Sequence, residues 1–139
     1  MRLVADANVL LSAALGGSAS RVLVHPRVEA VSAAASAMEE VHEYAAALAR
    51  KKRLPVDVVL TAVVTLPVEV VDRTAYAGLL EEAGRRIGKR DPDDVETLAL
   101  ALHLGLPVWS NDDDFEDAGI TWYTTAELLK RLPRQEPPA

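Results

Sequence analysis

The sequence predicts an α/β domain: a central, mainly parallel sheet of four to five strands with helices on both faces, three layers in all. Three observations carry this expectation. Short apolar runs at residues 3–5, 29–31, 69–71, 107–109 and 121–123 have the length and bounds of buried strands. Stretches with helical periodicity separate them, as crossover connections between parallel strands require. Half of the 139 residues are hydrophobic, enough for a real core at this length.

Residues 3–5 pass directly into Asp6-Ala7-Asn8, and residues 9–15 read as helix with Gly16-Gly17 as the stop signal. Ser18 is placed to cap a second short helix ending near His25, and Pro26 marks the boundary before the next strand. Ser32 or Ser36 is expected to cap the alanine-rich helix that runs to about Arg53. Pro55 stands at a favourable helix start. The valines of residues 56–66 suit a strand. Asp57, Thr61 and Thr65 recur every four residues, however, so a helix is expected.

Residues 74–87 read as one helix stopped by Gly88. Asp91-Pro92-Asp93-Asp94 opens another through Leu104, ended by Gly105. Asp93 and Glu96 fit a capping pair, which leaves Asp94 in the first turn. The strand at 107–109 runs straight into Asp112-Asp113-Asp114, and Thr124 with Glu127 forms a capping box for a last helix to about Leu132. One domain is expected over residues 1–132, with a disordered Pro-rich tail over 133–139.

Composition narrows the function classes. No apolar run is long enough to span a bilayer, and no signal-peptide pattern precedes the first strand, so a cytoplasmic protein without membrane attachment is expected. The absence of cysteine excludes disulfides and thiolate metal sites. A formal charge of −6 argues against coating nucleic acid by bulk electrostatics, though not against handling it locally.

The chemistry-bearing residues are acids at strand ends and helix starts. Asp6, Glu40, Asp94, Asp112 and Asp114 can all reach one edge of such a sheet, where open α/β folds place their ligands. Two carboxylates about 4 Å apart repel by roughly 4 kcal/mol at an effective dielectric of about 20. A divalent cation offsets that repulsion, and an all-oxygen donor set favours Mg²⁺ or Mn²⁺ over zinc. Convergence is also expected to raise carboxylate pKa values through like-charge repulsion. His25, His42 and His103 are read as surface or helix-end residues, and Trp109 and Trp122 as core rather than base-stacking platforms.

Val4-Ala-Asp-Ala-Asn8, the acidic helix around Glu40, Asp91-Pro-Asp-Asp94 with its Leu-Ala-Leu-Ala helix, and Ser110-Asn-Asp-Asp-Asp-Phe115 together resemble the PIN-domain ribonucleases, a family that includes toxins of the VapBC type. The resemblance spans nearly the whole chain. It implies a metal-dependent endoribonuclease acting on single-stranded RNA, with metal-site acids at Asp6, Glu40, Asp94 and Asp112 and an additional acid at Asp114. Asn8 and Ser110 are supporting polar groups. Glu39 and Glu43 compete with Glu40; Glu40 is preferred because the family's acid is usually followed by an aliphatic residue, here Val41. Asp113 departs from the basic or neutral residue frequent at that place. The resemblance further implies an antitoxin partner and dimerisation.

An acidic site needs cations at its rim to hold a phosphate backbone. Arg85, Arg86, Lys89 and Arg90, just before Asp94 in the chain, are the candidates for RNA contact. The apolar circumference of residues 56–66 is wider than one sheet surface needs, which predicts a homodimer through that helix. The rival reading is a phosphotransferase of the haloacid dehalogenase type with Asp6 as nucleophile; a catalytically inactive PIN-like binding module is a third. A Walker-type phosphate loop is excluded, because Gly84-Arg-Arg-Ile-Gly88-Lys89 is one residue short and Arg90 replaces the metal-binding hydroxyl.

Overall fold

A computed structural model describes residues 1–87 and 92–133. Its five strands are β1 (Arg2–Ala5), β2 (Ala30–Ala34), β3 (Glu69–Val71), β4 (Val108–Trp109) and β5 (Trp122–Tyr123). They form one sheet in the order β3-β2-β1-β4-β5, with every pairing parallel. The helices are α1 (Ala7–Ala14), α2 (Ala19–Leu23), α3 (Ala35–Lys51), α4 (Val56–Val64), α5 (Arg73–Tyr76), α6 (Leu80–Ile87), α7 (Pro92–Leu104) and α8 (Thr125–Arg131). Two 3₁₀ turns lie at Ala77–Leu79 and Asp113–Phe115.

β1 is central because its side chains are apolar in succession: Leu3, Val4 and Ala5 are completely buried. A strand buried on both faces needs no polar alternation, and burying each Leu or Val contributes about 1.5–3 kcal/mol. The chain runs outward through β2 and β3, then returns to the other side of β1 for β4 and β5. The crevice beyond the carboxyl ends of β1 and β4 is therefore a topological switch point. Ala5 pairs with Trp109, so the next residues, Asp6 and Ser110, leave the sheet side by side.

α7 fixes the third wall of that crevice. Thr97 through Ala101 are all buried, so the helix is enclosed around its circumference, as a core helix is. It packs on β1, β2, α3 and α6. No helix among the described residues is long and apolar enough to cross a membrane.

Residues 56–64 are helical as the threonine stripe predicts, and the Thr61 and Thr65 hydroxyls donate to carbonyls four residues back. The capping box at Thr124 and Glu127 forms in full. Gly105 ends α7 with a positive φ of 67°, which suits glycine.

Local differences from expectation have local reasons. Ser18 makes no side-chain cap, because its αR backbone does not present the hydroxyl to the following amides. Neither Ser32 nor Ser36 caps α3: the strand continues through Ser32 to Ala34, which itself stands at the N-cap without a side-chain bond. The single helix expected over 74–87 is divided into α5, a 3₁₀ turn and α6, with low-propensity Gly78 inside the break. Asp72, immediately before α5, caps that helix through the Thr74 amide. α7 begins at Pro92 with Asp93 already inside it, and Glu96 accepts the Tyr76 hydroxyl at 2.9 Å and pairs with Arg73 at 3.5 Å; the Asp93 side chain of the expected capping pair lies outside what is described. The Gly88 stop, and residues 134–139 of the tail expected to be disordered over 133–139, lie outside the described residues; Pro133 is described, its carbonyl bonded to His25.

Candidate metal centre

Asp6 follows β1 and caps α1. Its extended backbone (φ −83°, ψ 172°) turns the carboxylate back onto the helix, where Oδ1 accepts the Val9 amide at 3.0 Å. The Ser110 hydroxyl donates to Oδ2. Burial, with only 4% of the residue exposed, pushes the Asp6 carboxyl above its ordinary 3.8. The hydrogen bonds from Ser110 and Val9 oppose that shift, and the Asp112 charge adds a smaller push upward. The pKa is thus raised as convergence predicts, but desolvation is the leading cause and like-charge repulsion a secondary one.

Ser110 is the node that joins β1 to the acidic segment. Its Oγ also accepts the Asp112 amide at 3.0 Å, its own amide donates to the Tyr123 carbonyl at 3.0 Å, and its carbonyl accepts the Trp122 indole at 2.9 Å. Asp112 then caps the 3₁₀ turn by accepting the Asp114 amide at 3.1 Å. Phe115, fully buried, anchors this turn in the core; Asp112 and Asp114 are half-buried, and Asp113 between them is exposed. Asn111 Oδ1 accepts the Thr125 amide at 2.8 Å, and the Trp109 indole donates to Thr125 Oγ1 at 2.9 Å. The start of α8 is thereby stitched to the acidic segment.

Two groups of acids result, and Asp94 belongs to both. Asp6, Asn8, Glu40, Asp94 and Thr97 line a polar cavity of about 20 Å³, room for roughly one water. Asp94, Asp112 and Asp114 each present a carboxylate oxygen within 4.8 Å of the others. Among the three glutamates in doubt, Glu40 lines the cavity, Glu39 lines a groove between α3 and α4 on another side, and Glu43 is exposed. Behind α7, the buried Tyr76 hydroxyl is pushed up to about 12 by desolvation and by its bond to Glu96, so it remains a donor that holds α5 against the helix of Asp94.

The donor set fits a hard divalent ion. Among three ligands of an octahedral Mg²⁺ at most one pair is opposed, about 4.2 Å apart, and neighbouring ligands stand about 3 Å apart, so the three carboxylates, within 4.8 Å of one another, would draw in around the ion. Only oxygen is offered, which disfavours zinc.

The proposed cation rim is less open than the sequence suggests. Arg85 pairs with Glu81 at 3.7 Å and with Glu82. Arg86 binds Glu82 at 3.0 Å and donates to the Ala118 carbonyl at 3.1 Å, tying α6 to the segment after the acidic turn. These two arginines hold the Glu82 carboxyl below the usual range. Lys89 and Arg90 lie outside the described residues. His25 is structural, binding the Pro133 carbonyl and the Arg27 amide. Trp109 is core, as expected, and Trp122 is half-buried. Asn111, Thr97 and Thr125 were not legible as site residues, because their partners are set by packing and not by any local motif.

Residues 4–133 match a family model described as PIN domain. Solved structures share the fold, among them these two. A VapBC2 structure from Rickettsia felis, bound to a DNA fragment from its promoter, aligns with a TM-score of 0.64 and 13% identity, covering 89% of this chain and 98% of that one. VapC20 of Mycobacterium tuberculosis, a toxin that cleaves the sarcin–ricin loop, aligns with a TM-score of 0.59 and 21% identity, covering 86% and 96%. No curated protein sequence matches the chain.

Proposed function

The chain belongs to the PIN-domain family, and from that premise we propose that it is an endoribonuclease that uses Mg²⁺ or Mn²⁺ to hydrolyse phosphodiester bonds in single-stranded RNA. The observation that carries this reading is the convergence of Asp94, Asp112 and Asp114 within 4.8 Å, beside the cavity of Asp6 and Glu40. When bound, a divalent cation supplies Lewis acidity, polarising the scissile phosphate and easing deprotonation of water. Asp94, Asp112 and Asp114 would hold it. Asp6, both of whose oxygens are hydrogen-bonded, fixes Ser110 and through it the acidic turn. Glu40 lines a space for about one water and is placed to order that water and take its proton. Water then attacks phosphorus as the bond to the leaving sugar oxygen breaks and that oxygen takes up a proton from solvent, with no covalent intermediate.

The same engagement of both Asp6 oxygens, in a residue 4% exposed, removes support from the nucleophilic reading. The fold shared with VapC20 and with the VapBC2 structure supports assignment as the cytoplasmic toxin of a toxin–antitoxin pair, with an antitoxin as partner. A homodimer is part of the proposal. Its surface includes the groove between α3, α4 and β3, lined by the exposed Val64 and Val70; Val58 of α4 and Tyr44 of α3 are exposed apolar residues outside that groove.

The test is cleavage of single-stranded oligoribonucleotides with Mn²⁺, with excess chelator, and with the Asp94→Asn variant. Cleavage is expected only in the first. Turnover that survives chelation, or that Asp94→Asn leaves intact, refutes the metal-centred reading.

A further inference from the structure

Asn111 stands outside both groups of acids, yet it borders them. It lines a shallow depression of about 450 Å³ together with Asn8, Asp112 and Asp113, and Asn8 also lines the cavity of Asp6, Glu40 and Asp94. The orientation of the Asn111 amide is determined by chemistry: the Thr125 backbone N–H at 2.8 Å is a donor, so the atom facing it is Oδ1. Nδ2 therefore faces away from α8, on an exposed residue, and makes no hydrogen bond among the described residues. Bound at one end and open at the other, the side chain is a preset donor at low entropic cost.

A ligand that meets this donor must bring an acceptor. The surroundings decide which kind. Asp112 and Asp113 make the depression negative, Arg85 and Arg86 are engaged with glutamates, and the other two lining residues, Asn8 and Asn111, are neutral amides. Neutral N–H groups bind a polyanion's oxygen without competing for the carboxylates, as an arginine here would.

We propose that Asn111 Nδ2, with Asn8 beside it, forms a subsite for the nucleotide adjoining the scissile phosphate, donating to an oxygen of the RNA strand, whether a phosphate or a base keto oxygen. The proposal rests on the nuclease reading and adds a substrate contact to it. The Oδ1–Thr125 bond positions the amide; the Nδ2 hydrogens touch substrate.

The test separates these two halves of one side chain. Asn111→Asp keeps an acceptor for the Thr125 amide and removes the donor, whereas Asn111→Ala removes both. Steady-state cleavage is measured with mixed-sequence single-stranded oligoribonucleotides and Mn²⁺, and Mn²⁺ affinity is read separately from the thermal shift. Loss of one neutral hydrogen bond is expected to lower kcat/KM roughly fivefold in both variants, mostly through KM. Mn²⁺ affinity should not fall in Asn111→Asp. The loss should persist at about 1 M salt, where charge repulsion is screened within about 3 Å. Oligonucleotides with a methylphosphonate at the phosphate next to the scissile one identify the source: a variant effect that vanishes on them points to phosphate, and one that survives points to the base. Wild-type kinetics in Asn111→Asp, with only Asn111→Ala impaired, overturns the proposal and leaves a structural cap. A wild-type protein that binds Mn²⁺ yet leaves RNA intact overturns the nuclease reading together with the subsite.

Discussion

Replacing Asp112 by Asn removes one charge from the acid cluster and almost nothing else. The side chain's structural task is to accept the Asp114 amide at 3.1 Å, and an asparagine Oδ1 does that equally well. What changes is repulsion. Asp112 faces Asp94 and Asp114, each with an oxygen within 4.8 Å. A pair of charges at that distance repels by about 3.5 kcal/mol at an effective dielectric of about 20, and by about 1 kcal/mol in bulk water. Asp112 and Asp114 are half-buried, so the lower end applies, and two lost pairs sum to about 2 kcal/mol. With an unfolding entropy of about 2.1 cal/mol/K per residue, that raises Tm by about 7 °C. The assay is thermal unfolding in chelator at low salt and again with Mn²⁺. In chelator the variant should melt above the wild type. On adding Mn²⁺ the wild type should gain stability and the variant should not. A variant that melts below the wild type in chelator, and then gains as much from Mn²⁺, would falsify the metal centre and return Asp112 to the role of a turn residue.

Other substitutions probe separate links. Burial lifts the Asp6 carboxyl above 3.8 in the folded state, so its contribution is complete below about pH 3.8 and is lost as pH rises through the folded value; in metal-free protein, the Tm advantage of Asp6→Asn should grow across that interval, and a pH-independent difference would contradict it. Val64→Glu and Val58→Glu, at positions 67% and 64% exposed, should give folded monomers by light scattering, whereas Val59 and Val63 face the core and the same change there should unfold the protein; dimers that persist in both surface variants rule out this helix as the interface. Arg86→Ala should cost about 1 kcal/mol of stability through the lost bond to the Ala118 carbonyl, while Arg85→Glu should flatten the salt dependence of RNA binding without that cost; an unchanged slope leaves Arg85 a surface partner of Glu81 and Glu82.

Most of the elements, and the kind of chemistry, can be read from the residues alone. Apolar runs at β1 and β3, the threonine stripe of α4, Gly105 after α7 and the capping box of α8 are signals carried within a few residues, and local physics suffices to read them. The acids were legible too, because carboxylates at strand ends and helix starts are conspicuous in a chain with no cysteine. Packing settles which glutamate of α3 lines the cavity, that Asp6 engages both oxygens with Val9 and Ser110, and that Asp94 belongs to two groups at once. It also committed Arg86 to Ala118 and Asn111 to Thr125. Each of these depends on a partner far along the chain, brought near by the packing of α7 and the pairing of β1 with β4. A side chain's donors and acceptors are known from its type, but what they meet is settled by burial and distance, which no local pattern encodes.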